Sequence, residues 1–204
     1  MDGNRLYFLI GDVSGKGVPA SLFMAITRSL FRTLSQQVLS PAKIVTDMNN
    51  SISDNNESNM FVTLIVGILD LETGKLKLCN AGHNPPILIR PDGQVSFLEF
   101  KTQIFVGVIE EFAYTEDETT LEKGSKLFLY TDGVTEAENT EKELYGDEKL
   151  LKTLSDNNTS DVRTTVNGIE DSVADHVKEA EASDDLTILL IQYEPCLLYT
   201  SPSP

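Results

Sequence analysis

The chain has 204 residues, enough for one domain that buries roughly 70% of the surface its unfolded form exposes. Sixteen Lys and Arg against 32 Asp and Glu leave a formal charge of −16, which repels phosphate backbones and anionic lipid and argues against nucleic acid and membranes as partners. Cys79 and Cys196 show no metal-ligand spacing and read as free thiols of a reducing cytoplasm, and no apolar run reaches the roughly 18 residues of a membrane span.

Leu6 to Ile10 reads as a short buried strand that breaks at Gly11-Asp12. Pro19 suits the first turn of a helix, and Val18, Leu22, Ile26, Leu30 and Leu34, with Ala25 beside them, are expected to form its core-facing stripe. Ser40-Pro41 opens a second helix with Ile44, Val45, Met48 and Ile52 buried, and Ser53 to Asn59 is a loop. Strands are expected over Phe61 to Leu69, around Leu76 and Leu78, and over Ile87 to Ile89, with turns at 70–74 and 91–93. Weaker strands are expected near Val95 to Leu98, Phe105 to Val108 and Phe112 to Leu121, then a compact one over Lys126 to Tyr130. Two helices follow. The first turns Leu150, Leu151 and Leu154 inward; the second starts after Ser160 with a stripe of Val162, Val166, Ile169, Val173 and Val177. Leu186 to Ile191 is a last buried strand, and residues 195–204 read as a non-native or disordered tail. The layout is layered α+β rather than βαβ alternation.

Three acidic turns share one form, an apolar strand meeting a turn that bears Asp: Gly11-Asp12-Val13, Thr131-Asp132-Gly133 and Ser183-Asp184-Asp185. Carboxylates and carbonyls suit Mg²⁺ and Mn²⁺, and neighbouring glycines let backbone approach an ion or a phosphate. Each turn alone is weak evidence, since Asp-Gly is a common turn. A P-loop is excluded by spacing: three residues separate Gly11 from Gly15, and Gly17 follows Lys16.

The segment Gly11-Asp12-Val13-Ser14-Gly15-Lys16-Gly17-Val18-Pro19-Ala20 resembles the glycine-rich motif of SpoIIE/RsbU-type serine phosphatases, of the PPM class of metal-dependent protein phosphatases. Asn80-Ala81-Gly82-His83-Asn84-Pro85-Pro86 is similar to their central turn, and the turns at Asp132 and Asp184 to their later acidic motifs, all in family order. The resemblance implies a four-layer α/β/β/α sandwich over residues 1–194, with two mainly antiparallel sheets between helices. It implies two Mn²⁺ or Mg²⁺ ions bridged by a hydroxide that attacks a phosphoserine or phosphothreonine directly. Asp12 would bridge the ions, the Val13 carbonyl would add an oxygen, and Asp132 and Asp184 would hold one ion from the opposite side, with Asp185 either a further ligand or a residue behind the ligands. Ser14, Gly15 and Lys16 are candidates to meet the substrate phosphate; Lys16 reads equally well as a solvated loop residue. Gly11, Gly17 and Gly133 are structural, and His83 reads as a turn residue bonded to backbone rather than an acid or ligand.

The family also implies a phosphorylated partner, typically an anti-anti-sigma protein of STAS type, and a homodimer. Two departures matter. The family's first acidic motif has no counterpart among the 11 residues before Asp12, so the chain is expected to begin downstream of the first strands, to bind metal more weakly and to be inactive as it stands. Ser14 stands where eukaryotic relatives carry a histidine. The alternative reading is an inactive module that binds a phosphoprotein.

Overall fold

A computed structural model describes residues 4–54, 56, 59–180 and 185–195. Two four-stranded antiparallel sheets form its centre. The first contains β1 (Arg5–Val13), β2 (Val62–Asp70), β3 (Lys75–Ala81) and β6 (Asp117–Thr120), in the order β1-β2-β3-β6. The second contains β4 (Ile87–Ile89), β5 (Val95–Phe97), β7 (Lys126–Tyr130) and β8 (Ile188–Gln192), in the order β5-β4-β7-β8. Helices α1 (Val18–Leu34) and α2 (Pro41–Ser53) cover the first sheet, and α3 (Gly146–Asp156) and α4 (Val162–Val177) the second.

Side chains alternate across each strand, so each strand feeds two cores. On β7, Leu127 and Leu129 enter the space between the sheets, while Phe128 and Tyr130 pack under α3 and α4. On β2, Ile65 and Leu69 face the other sheet, while Leu64, Val66 and Ile68 face α1 and α2. Gly67 is the exception that lets the layers close: a Cβ there would lie 2.1 Å from the Phe8 ring. Three apolar cores therefore separate four layers, the expected α/β/β/α sandwich.

Helix α2 follows its sequence signals. Ser40 caps it by accepting from the Lys43 N–H, and Ile44, Val45, Met48 and Ile52 are buried. Its N-terminus is tied down by Glu116, whose carboxylate accepts from Ser40 Oγ and the Ala42 N–H and pairs with Lys77 at 2.8 Å.

Helix α1 has the expected bounds but the opposite face. Val18, Leu22 and Ile26 are 72%, 61% and 54% exposed, and Ala25 is exposed as well. The buried side runs through Phe23, Met24, Thr27, Leu30, Phe31 and Leu34. An i, i+4 series drifts around a helix of 3.6 residues per turn, so the expected stripe points inward only at its C-terminal end. Residues 105–108 form no strand; Val106 only bridges Val62. Of the stretch 112–121, only Asp117–Thr120 is strand, and β8 is half-buried rather than buried. Helix α4 starts after Ser160 as expected, with Asp161 as its cap, the side chain accepting from the Thr164 N–H. Residues 196–204, with Cys196, lie outside the described residues.

Candidate metal centre

On β1, Phe8 and Ile10 enter the core between the sheets. Asp12 is next in that row and reaches the mouth of the gap, paired across the ladder with Thr63. Gly11 makes the approach close: a Cβ there would lie 2.7 Å from the Thr63 carbonyl oxygen. On the second sheet, β7 ends at Tyr130 and the chain turns through Asp132, with Val134 N–H donating to the Thr131 carbonyl.

Asp185 reaches the same mouth from the segment before β8. Thr131 Oγ1 donates to its carbonyl at 3.3 Å and accepts from the Thr187 N–H at 3.1 Å. Gly133 lies against it so closely that a Cβ would stand 2.3 Å from the Asp185 carbonyl oxygen. Any side chain at position 133 would push that segment away.

Asp12, Asp132 and Asp185 thus line one open cleft of about 800 Å³. Val13, Ser14, Gly15, Lys16 and Gly17 form its rim, and Gly15 and Gly17 hold φ of +84° and +80°, which suit glycine. The N-terminus of α1 opens here without a side-chain cap. Ser14 is engaged with Phe61: its N–H donates to the Phe61 carbonyl and its Oγ accepts from the Phe61 N–H, both at 2.9 Å. Asp184 lies outside the described residues.

The donor set suits a hard cation. The cleft offers carboxylates and carbonyls, while Cys79, whose thiol pKa burial pushes up to about 12, is enclosed elsewhere. Among the described residues, no three of His, Cys, Asp and Glu gather tightly enough to enclose an ion. Mg²⁺ fits such an open arrangement, because it retains several waters and takes one or two carboxylates plus substrate phosphate.

His83 does not line the cleft. It is 4% exposed, with Nδ1 2.9 Å from Thr63 Oγ1 and its backbone clasped by the Asn80 side chain. Burial depresses its pKa to about 4, and the Tyr130 backbone opposes that shift.

Thr63, Phe61 and Met24 also form the cleft and were not anticipated. Thr63 reaches it only through the β1–β2 register, which no local pattern shows. Met24 was within reach of helical spacing from the Gly15–Gly17 loop.

The family model described as Stage II sporulation protein E (SpoIIE) matches residues 2–194. Phosphoserine phosphatase RsbU of Bacillus subtilis is 26% identical over 94% of this chain and 56% of its own, so the chain spans about half of that relative. The SiaA-PP2C domain of Pseudomonas aeruginosa shares the fold with a TM-score of 0.80 at 20% identity, covering 93% of this chain and 80% of that one. The catalytic domain of the serine threonine protein phosphatase PstP in complex with two manganese ions does so with a TM-score of 0.65 at 14% identity, covering 93% and 91%. By the match along nearly all of its length, the chain belongs to the SpoIIE family.

Proposed function

We propose that this chain is the catalytic portion of a metal-dependent protein serine/threonine phosphatase. One observation carries the reading: Asp12 from one sheet and Asp132 from the other line a single cleft with Asp185, although 119 residues separate the first two along the chain (132 minus 12, less one). Carboxylates brought together at such separation are costly to gather and are compensated when a cation sits between them.

Bound Mn²⁺ or Mg²⁺ would supply Lewis-acid activation of water and of the phosphate. Asp12 would reach both ions with support from the Val13 carbonyl, and Asp132, Asp184 and Asp185 would hold the second from the opposite sheet. Gly133 keeps the Asp185 segment close. The uncapped N-terminus of α1 and Lys16 sit where a phosphate would approach, and backbone N–H groups there suit an anion. Ser14 orders the loop through Phe61.

The substrate would be a phosphorylated regulatory protein, of the STAS-type anti-anti-sigma kind that the family resemblance implies, in the cytoplasm; the RsbU relative's name supports phosphoserine. No helix among the described residues is long and apolar enough to cross a membrane. The exposed stripe of Val18, Leu22 and Ile26 supports a homodimer through α1. The absence of a closed cluster of three ligands among the described residues favours the rival reading, a module that binds phosphoprotein without hydrolysing it.

The test is manganese-dependent hydrolysis of p-nitrophenyl phosphate and of a phosphoserine STAS protein by the chain in its natural full-length context. We expect turnover that Asp12→Asn and Asp132→Asn each lower by at least a hundredfold. Tight binding of the phosphoprotein with no turnover would establish the rival.

A further inference from the structure

The turn over residues 80–84 leads from β3 of the first sheet toward β4 of the second. It is stitched to the first sheet: Gly82 bridges Leu64, and His83 Nδ1 meets Thr63 Oγ1 at 2.9 Å. Thr63 in turn faces Asp12 across the ladder, its hydroxyl 3.5 Å from the Asp12 carbonyl oxygen. The turn also grips the second sheet, where the Asn84 side chain hydrogen-bonds the Tyr130 phenol and the Tyr130 backbone is close enough to act on the His83 ring. Tyr130 lies two residues before Asp132.

His83 Nε2 is the one buried side-chain nitrogen or oxygen among the described residues that meets no hydrogen-bond partner. The Tyr130 backbone acts on the His83 ring from the second sheet, in the sense that opposes the effect of burial. Buried polar atoms are nearly always paired, so one that meets no close partner calls for a structural explanation.

We propose that His83 is a positioning residue of the cleft: it sets, through Thr63 on one side and the Tyr130 backbone on the other, the spacing between the strands that bear Asp12 and Asp132. The ring uses Nδ1 on Thr63 of the first sheet while the Tyr130 backbone acts on it from the second, so one side chain links the two sheets beside the cleft. Such partners orient ligands without touching what the ligands hold, and losing them typically weakens metal affinity 10- to 100-fold. The inference rests on reading the cleft as a metal site.

The experiment is Mn²⁺ titration, followed by the electron paramagnetic resonance of free Mn²⁺, with folding checked by circular dichroism. The proteins are the chain itself, His83→Phe, Thr63→Val, Thr63→Ser and the His83→Phe/Thr63→Val pair. We expect His83→Phe and Thr63→Val each to weaken binding about tenfold, the pair to be no weaker than the worse single variant, and Thr63→Ser to bind as the unaltered chain does. Unchanged affinity in His83→Phe or Thr63→Val, or losses that add in the pair, would overturn the positioning role alone. Should His83→Phe not fold, the contrast between Thr63→Val and Thr63→Ser decides. Failure of the unaltered sequence to bind Mn²⁺, both as this chain and in its natural full-length context, would overturn this inference and the phosphatase reading together.

Discussion

His83 is held neutral by burial, which pulls its pKa from 6.5 down to about 4. Between those values the unfolded chain binds a proton there and the folded chain does not. Stability from this group is therefore full above pH 6.5 and is lost as pH falls toward 4, a total of about 3 kcal/mol. Urea unfolding should show a drop of about 2 kcal/mol between pH 7 and pH 5, and His83→Phe should remove most of it; an unchanged slope would contradict the burial argument. Gly133 is a second decisive residue. In Gly133→Ala the new methyl group would collide with the Asp185 carbonyl, so we expect loss of metal-dependent activity of at least tenfold with a stability cost of about 1–3 kcal/mol, read by turnover and by thermal denaturation. The acidic turns that frame these residues are visible in sequence, because Asp beside Gly at a strand end is a local signal. Thr63 is not, because its place opposite Asp12 depends on a ladder between residues 51 positions apart.

Helix α1 separates what periodicity tells from what packing decides. Its length and start are local properties, fixed by Pro19 at the first turn and by the glycines before it. Its orientation is not local: two apolar stripes compete, and the one with Phe23, Met24 and Phe31 wins because larger side chains bury more area against β1 and α2. Phe31→Ala should cost about 2–3 kcal/mol in thermal or urea unfolding. Leu22→Glu and Ile26→Glu should leave the folding of a single copy within about 0.5 kcal/mol, since both are exposed. If α1 joins two copies, the same pair of substitutions should halve the mass measured by light scattering. Large destabilisation by Leu22→Glu would mean that the stripe is internal after all. Residues 105–108 show the reverse error, an apolar run that lines a core as irregular chain: Phe105 stacks on Phe61 at 5.0 Å and fills the space that Gly82 leaves open.

At the scale of the molecule, the pattern made a layered α+β fold legible, since β2 is apolar on both faces and requires cover on each side, while the four-layer sandwich came from the family resemblance. Which sheet each strand joins was not, since short strands such as β4 and β5 carry too little pattern to reveal their partners. The architecture places the ends of β1 and β7 at one mouth of the gap between the sheets, and the function rests on that coincidence. Anomalous diffraction from crystals soaked in Mn²⁺ tests it most directly. The account expects manganese peaks in the cleft at about 2.0–2.2 Å from carboxylate oxygens of both Asp12 and Asp132. Manganese bound elsewhere, or a cleft without a peak at saturating Mn²⁺, would contradict it.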